Sequence, residues 1–496
     1  MRWLSGIKKL YPVFSIPFLL FSVTLLCAQG EFLIDTQPDS YFQSNPTVAY
    51  DGTNYLVVWQ DTRNGTYDIY GARVGAGGTI LDTIPIAIST ASNDQIKPQV
   101  TFGDLYYLVV WEDYRNDVYN FDVYGCRVNK IGNILDTSGI VIKDLQASYA
   151  LDPAVSFDGT NYFITYSSYD IYFWDEIYGE FLSPSGQRVG WGVNIGGSTA
   201  GDDHRSKIAF DGTNYLVVWH ALNKDILGSR VTPSGSNLDV TPISICTATG
   251  NQTEPEVAFD GTNYLVVWQD DRNGNMDIYG ARVTPSGSVL DPEGFPICTQ
   301  GSTQTNPAIA FDGTNYVVVW EDYRNGNADL YGAVLSPTGS VLDTFIVSSK
   351  PGDQVTPSLA HGSGNQILIV YSGWTDTYNG IPINTMRIWA RFYPITDVDE
   401  NTPRKSYVST LRIYPLFLAE DDLFTIQWTS KNPSVSIEIY NIKGDQIARW
   451  EFSNKNEGVI IWNLKNKLGV RIKPGIYFVT LSSDKEKYYK KFIVLR

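Results

Sequence analysis

The chain of 496 residues contains only three histidines and four cysteines. Histidine is the usual acid–base catalyst near neutral pH and a common metal ligand, so histidine-based catalysis or a multi-histidine metal centre has little material here. Basic residues are also scarce, since 37 Lys and Arg face 53 Asp and Glu, a formal net charge of −16. Because nucleic-acid binding needs a basic surface to neutralise phosphates, this balance argues against a nucleic-acid binder.

Long apolar runs are missing except near the N-terminus. Residues 1–30 contain three basic residues, then an apolar stretch, then small residues, which is typical of a secretory signal peptide. Lipid modification of Cys27 is the alternative, but the bulky Leu26 before it disfavours that reaction. No other run of about 20 apolar residues occurs, so we expect no transmembrane segment in the mature chain. The three cysteines after the signal peptide are an odd set, for which we expect no disulfide framework.

A repeated motif dominates the rest of the sequence. DGTNYLVVW occurs at 51–59, 211–219 and 260–268, and looser copies bring the total to seven. The aromatic residues that end these copies recur about every 52 residues, a period that fits a four-stranded propeller blade. Short apolar segments alternate with DG, RNG and PSG turn sequences, which predicts an antiparallel four-stranded meander in each repeat. Tryptophans that recur at one position of the repeat are expected to pack between blades.

The two ends of the repeat array complement each other. The seventh repeat ends after its third predicted strand at 387–394, whereas residues 31–46 align with the fourth strand and following turn of a repeat, 294–307. We therefore predict an all-β fold in which residues 31–395 form a seven-bladed β-propeller, closed in a 3+1 manner by the N-terminal strand. An open solenoid is the alternative, but it leaves the complementary half-repeat unexplained.

The segment DGTNYLVVWQDDRNGNMDIYGARV at 260–283 resembles the repeats of TolB-type propellers. The resemblance covers about residues 31–395. It implies the fold and little chemistry, because propellers host unrelated functions.

The C-terminal part has a different composition. Residues 396–408 form a predicted linker, and residues 409–496 hold 14 basic and 9 acidic side chains. Their short alternating segments predict an immunoglobulin-like β-sandwich.

The order of three segments in this part, VSIEIYNIKGDQIARWEF, IIWNLKNKLGVRIKPGIYFVTL and KKFIVLR, resembles the type A sorting domain of the bacterial type IX secretion system. The resemblance implies outer-membrane translocation by that machinery, followed by surface anchoring or release, often with cleavage of the domain. Two departures are Tyr414-Pro415 in place of the Asn-Pro turn and Trp462-Asn463-Leu464 in place of Trp-Asp-Gly. A plain β-sandwich without a sorting role is the alternative.

Four repeats carry D-x-R-N after the second predicted strand and a further Asp before the third. Carboxylate and amide oxygens on a turn are ligands that Ca²⁺ prefers, but a guanidinium beside a cation is repulsive. The pattern therefore favours a structural hairpin fixed by an Arg–carboxylate pair, with calcium or ligand contact as alternatives and no other cofactor expected. The candidate calcium ligands are Asp61, Asp68, Asp270, Asp277, Asp322 and Asp329.

Two repeats break the pattern and carry extra aromatic side chains. Exposed aromatics suit stacking on sugar rings or anchoring a protein partner. A wider, self-packed hairpin is the alternative for the third repeat, and the seventh repeat is predicted to carry its aromatics in a long loop. The candidate ligand-binding residues are Tyr169, Tyr172, Phe173, Trp174, Asp175 and Trp374.

The sequence thus favours an exported, cell-surface or released propeller without enzymatic activity that binds a glycan or protein partner, with the periplasm as the alternative location. A carbohydrate-active hydrolase or lyase that uses paired carboxylates is the alternative function. No nucleophile elbow, phosphate-binding loop or Cys/His metal spacing is present in the sequence.

Overall fold

The computed structural model describes residues 30–496 except 38, 117–120, 144–148, 170–175, 197–202, 222–223, 395–409, 415–416, 419–423, 431–433, 454–456, 466–469, 484–485 and 496. The predicted signal peptide therefore lies outside the described residues except for Gly30. The described residues form strands and contain no helix, which confirms the predicted all-β class. Among them there is accordingly no helix that could cross a membrane. Contacts divide the chain into two units, residues 1–398 and 399–496.

The described part of the first unit forms seven four-stranded antiparallel sheets. Six of them are meanders of four consecutive strands, in the order in which they occur in the chain. These strands are β2 (Gln43–Tyr50), β3 (Asn54–Asp61), β4 (Asp68–Gly75) and β5 (Ile86–Ser89); β6 (Gln95–Gly103), β7 (Tyr106–Asp113), β8 (Asp122–Asn129) and β9 (Ile140–Lys143); β10 (Tyr149–Phe157), β11 (Tyr162–Tyr169), β12 (Glu176–Leu182) and β13 (Arg188–Asn194); β14 (His204–Phe210), β15 (Tyr215–His220), β16 (Ile226–Val231) and β17 (Ile243–Cys246); β18 (Gln252–Phe259), β19 (Tyr264–Asp270), β20 (Asp277–Val283) and β21 (Phe295–Cys298); β22 (Gln304–Phe311), β23 (Tyr316–Asp322), β24 (Asp329–Leu335) and β25 (Val341–Ser348).

The seventh sheet combines strands from both ends of the unit. Its order is β26 (Gln354–His361), β27 (Ile367–Tyr378), β28 (Ile381–Tyr393) and β1 (Phe32–Leu33). Strand β1 pairs antiparallel with β28, Phe32 opposite Ala390.

A buried arginine holds the segment that follows β1. Arg387 is 1% exposed, and its guanidinium donates to the carbonyl oxygens of Asp35, Gln37 and Asp39 at 2.9, 2.8 and 2.5 Å. Its Nε donates to Oε1 of Gln43 at 3.0 Å. Since an arginine has five N–H donors, this one side chain fixes the whole segment against β28.

The DG turns form because one side chain satisfies two backbone donors. Oδ1 of Asp51 accepts hydrogen bonds from the backbone N–H groups of Thr53 and Asn54 at 2.8 and 2.7 Å. Gly52 adopts a φ of 89°, a conformation that favours glycine. Four other repeats use the same turn, and each turn leads directly into the second strand of a sheet.

The second strand of each sheet is an apolar run because both of its faces are covered. Leu56 and Val58 of β3 pack with Val109 and Trp111 of β7 in one buried cluster, so neighbouring sheets share a core. The repeat tryptophans are 0–2% exposed, which confirms their predicted packing role.

The first strand of each sheet, here called an inner strand, contacts the inner strand of the next sheet. The inner strands are β2, β6, β10, β14, β18, β22 and β26, and β26 in turn contacts β2. A β-bulge interrupts each of them. At every bulge one non-glycine residue has a φ between 49° and 54°. These bulge residues are Asn45, Lys97, Asp152, Arg205, Glu254, Asn306 and Thr356.

The second unit consists of two sheets around one core. A three-stranded sheet contains β29 (Thr410–Tyr414), β31 (Phe424–Thr429) and β34 (Glu457–Trp462), and a five-stranded sheet contains β30 (Phe417–Leu418), β36 (Glu486–Val494), β35 (Gly475–Ser483), β32 (Val435–Asn441) and β33 (Gln446–Phe452). Trp428 from the first sheet and Ile437 and Val479 from the second are fully buried together, as in a β-sandwich.

Candidate ligand site

The D-x-R-N hairpins are held by internal bonds. Asp270 is fully buried, and its carboxylate accepts hydrogen bonds from Nε1 of Trp268 at 2.9 Å and from Nη2 of Arg272 at 2.6 Å. The guanidinium also lies over the ring of Tyr279, 4.2 Å from its centroid. The same carboxylate contacts recur at Asp61, Asp113 and Asp322.

The second aspartate of each hairpin lies directly opposite the first. Asp270 is the register partner of Asp277, whose carboxylate accepts a hydrogen bond from Nδ2 of Asn273 at 2.8 Å. Asp68 and Asp329 accept the equivalent bond at 2.6 Å. In the described part of the chain, no three His, Cys, Asp or Glu side chains are grouped so that they could hold a metal ion. Calcium at these hairpins stays an alternative to the structural interpretation.

Of the candidate ligand-binding residues in the third repeat, the structure describes Tyr169 alone. Tyr169 is the last residue of β11, and Tyr172, Phe173, Trp174 and Asp175 lie outside the described residues.

Trp374 lies in strand β27 and not in a long loop, so that prediction was wrong. It pairs with Met386 because β27 and β28 extend well beyond the other strands of their sheet. Its side chain is 37% exposed and donates from Nε1 to Asp376 at 2.6 Å.

A channel of about 520 Å³ lies between the seven inner strands and is lined by the same short segment of each. All seven bulge residues belong to its lining. Side chains of the preceding sheet hold the backbone at several bulges. Oε1 of Gln60 accepts a hydrogen bond from the backbone N–H of Lys97 at 2.9 Å. Oε1 of Glu112 accepts one from the backbone N–H of Asp152 at 2.7 Å. The bulge side chains are therefore presented to the channel from a rigid backbone.

Four bulge residues from consecutive sheets carry alternating charge, here called the charged arc: Lys97, Asp152, Arg205 and Glu254. Nζ of Lys97 lies 2.7 Å from Asp152 and 3.0 Å from the buried Glu112. Burial opposes the charge of Lys97, but the two carboxylates outweigh it and raise its pKa. Burial raises the pKa of Glu112. At Asp152 burial opposes the charge, but Lys97, with smaller contributions from Arg205 and His204, outweighs it and lowers the pKa.

The other half of the charged arc is paired in the same way. Arg205 is paired with Glu254, and Nζ of Lys207 lies 2.5 Å from Oε1 of Glu256. Burial opposes the charge of Arg205, but Glu254 outweighs it and raises the pKa. Burial also raises the pKa of Glu256.

The remaining three bulge residues, Asn45, Asn306 and Thr356, form a neutral arc. Nδ2 of Asn45 donates to Gln60 at 3.1 Å, and Nδ2 of Asn306 donates to Glu321 at 2.9 Å. Each amide group donates one N–H to the protein, and its oxygen is an acceptor that the neutral arc can offer to the channel.

Sequence reasoning missed this channel. The signal was present, because six of the seven bulge residues precede a proline at the same position of the repeat. A recurring proline inside a predicted strand indicates a bulge or an edge, and a bulge directs one side chain out of the regular alternation.

Residues 419–495 match the family model of the secretion system C-terminal sorting domain. The match confirms the predicted sorting domain and indicates export to the cell surface or the medium. No curated protein matches the chain.

Solved structures that are similar to the chain include a protein of unknown function from Dyadobacter fermentans, with 10% identity, a TM-score of 0.45, and coverage of 73% of this chain and 97% of that one. A fungal alcohol oxidase in complex with copper has 11% identity, a TM-score of 0.45, and coverage of 94% and 99%. A Trypanosoma rangeli sialidase has 9% identity, a TM-score of 0.40, and coverage of 84% and 85%. Similarity this low says nothing about a ligand or a reaction.

Proposed function

We propose that the chain is an exported binding protein without enzymatic activity, held at the cell surface or released, whose first unit takes a glycan or protein partner. A signal peptide at residues 1–30 starts its export. The seven sheets are the blades of one β-propeller, which β1 closes in a 3+1 manner. The pairing of β1 with β28 and the contact between β26 and β2 support this arrangement.

Delivery depends on the sorting domain, residues 409–496 of the second unit, which engages the type IX secretion machinery. The match of residues 419–495 to the sorting domain supports this step.

The observation that favours binding over catalysis is that the channel carboxylates are paired with cations. Asp152, Glu254 and Glu256 each lie against a lysine or arginine. Two-carboxylate glycoside hydrolysis needs one carboxyl group that keeps its proton and a second that faces the substrate as base or nucleophile. A cation already occupies each of these carboxylates, so they suit hydrogen bonding to a ligand better than proton transfer.

A hydrolase or lyase is the second candidate function, and one observation favours it. Burial raises the pKa of Glu256 in the channel lining, which is the property required of a general acid.

Full-length protein should be tested against a panel of neutral and acidic polysaccharides and outer-surface protein fractions, with binding and product release measured on the same samples. We expect saturable binding without new reducing ends or unsaturated products. Product release that disappears in Glu256→Gln, but persists in the exposed control Glu293→Gln, would establish the hydrolase or lyase instead. Absence of binding to every ligand would contradict the proposal.

A further inference from the structure

We propose that the channel recognises a saccharide that carries a carboxylate, such as a uronic acid, with Arg205 as the principal contact for that carboxylate. The inference rests on the binding function proposed above and names its ligand class. Three features of the channel support it: the choice of bulge residues, the exposure of the cations, and the arrangement of the two arcs.

The bulge residues are poorly suited to their backbone conformation. A positive φ is unfavourable for a non-glycine residue, and asparagine or aspartate tolerates it best. Lys97, Arg205, Glu254 and Thr356 are not such residues, yet they adopt φ values of 51–54°. The DG turns of the same repeats use glycine where the backbone needs positive φ. We therefore infer that these side chains occupy strained positions because of the functional groups that they present to the channel.

The cations of the charged arc are more accessible than their partners. The side chain of Arg205 is 45% exposed and that of Lys97 is 37% exposed, against 23% for Glu254 and 15% for Asp152. Among the described residues Arg205 is paired only with Glu254, through Nη1. Its remaining N–H donors are available to an incoming carboxylate, which an arginine binds in bidentate fashion.

The neutral arc faces the charged arc across the channel. Arg205 belongs to the fourth sheet, whereas Thr356 and Asn45 belong to the seventh and first, three sheets away in either direction along the contacts of the inner strands. Amide oxygens of Asn45 and Asn306 accept hydrogen bonds from hydroxyl groups. A ligand with a carboxylate at one end and hydroxyl groups at the other satisfies both arcs.

The volume and the lining of the channel also indicate how large the ligand is and how it is bound. Its volume of about 520 Å³ lies within the usual range for small-ligand sites. The lining residues that the structure describes include no aromatic side chain, so we expect recognition to depend on hydrogen bonds and charge instead of stacking. We therefore expect selectivity for acidic over neutral sugars and a marked dependence on salt.

The test is titration calorimetry of the full-length protein with trigalacturonate and with the neutral galactose trisaccharide of the same linkage. We expect trigalacturonate to bind at least tenfold more tightly, and less so at higher salt. Arg205→Gln should reduce binding of trigalacturonate roughly tenfold or more and leave the neutral trisaccharide unchanged. The matched control is Arg188→Gln. Arg188 lies on β13, the last strand of its sheet, is half-exposed, and is paired with a glutamate, Glu180.

A second variant guards against misfolding. Asn306→Gly suits the positive φ of the bulge and removes the hydroxyl acceptor together with the hydrogen bond to Glu321, so it should weaken both trisaccharides. Equal affinity for the two trisaccharides, or equal effects of Arg205→Gln and Arg188→Gln, would overturn the inference. If neutral glycans or proteins then bind, the proposed binding function stands, and if nothing on the panel binds, both fail.

Discussion

At the residue scale, the buried aspartates of the D-x-R-N hairpins each hold an indole and a guanidinium. We expect Asp270→Asn to lower the free energy of unfolding by about 1–3 kcal/mol, because Arg272 then keeps its charge beside a neutral amide. Urea denaturation measures the change. The exposed Asp343→Asn is the control and should alter stability by less than about 0.5 kcal/mol. Equal losses in the two variants would contradict a structural role of the hairpin carboxylates.

The same hairpins distinguish the structural interpretation from the calcium alternative. Because arginine and asparagine donors occupy the carboxylates, we expect chelation with EDTA to leave the melting temperature of the full-length protein unchanged. A protein that binds calcium only when folded loses that stabilisation when the ion is removed. A fall of several degrees on chelation, reversed by added Ca²⁺, would favour calcium.

The protonation of His220 should make the stability of the protein depend on pH. Burial, with smaller contributions from His204 and Arg205, lowers its pKa to about 4, while Asp152 opposes the shift. An unfolded histidine titrates near 6.5, so the unfolded chain binds more protons between pH 6.5 and 4, and stability falls as the pH falls through that window. His220→Gln should show a shallower loss of stability between pH 6.5 and 4 in urea denaturation. A slope equal to that of the exposed control His361→Gln would contradict this account.

Sequence reasoning found the hairpin aspartates but not the bulge residues, for a physical reason. Asp270 is followed two residues later by Arg272, and a carboxylate and guanidinium so close predict a pair. The recurring proline marks the other bulges, but Arg205 is followed by Ser206, and nothing in the residue types Lys, Arg, Glu and Thr indicates a positive φ.

At the scale of the elements, the N-terminal segment depends on one buried arginine. Arg387→Met should leave the carbonyl groups of Asp35 and Gln37 without their donor, so we expect residues 31–43 to become sensitive to protease. Limited proteolysis with mass spectrometry measures the cleavage rate. Arg282→Met removes an arginine paired with Asp291 far along the chain and should leave the segment protected. Equal cleavage in both variants would contradict the role of Arg387.

The four-stranded sheets could be predicted because each strand has its own turn signal and apolar pattern within one repeat. The extension of β27 and β28 was missed although the sequence contains a signal for it. Asn379-Gly380 is a hairpin-turn dipeptide, both residues have positive φ, and Tyr378 pairs with Ile381 across the turn.

At the scale of the whole molecule, the second unit should decide where the protein ends up. A chain that lacks residues 419–495 should remain in the periplasm, while the full-length chain reaches the cell surface or the medium. Cell fractionation with antibodies against the first unit measures this distribution. The control is a chain with Ile442→Ser, which changes only an exposed side chain of the second unit and should be exported normally. Export of the truncated chain would contradict the role of this unit.

The pairing of β1 with β28 also constrains the order of folding. Phe32 and Ala390 come from opposite ends of the first unit, so their contact has one of the longest sequence separations in it. Contacts of this kind form slowly because a long loop must close first. A nascent chain therefore keeps an unpaired strand edge until nearly all of the first unit has been synthesised.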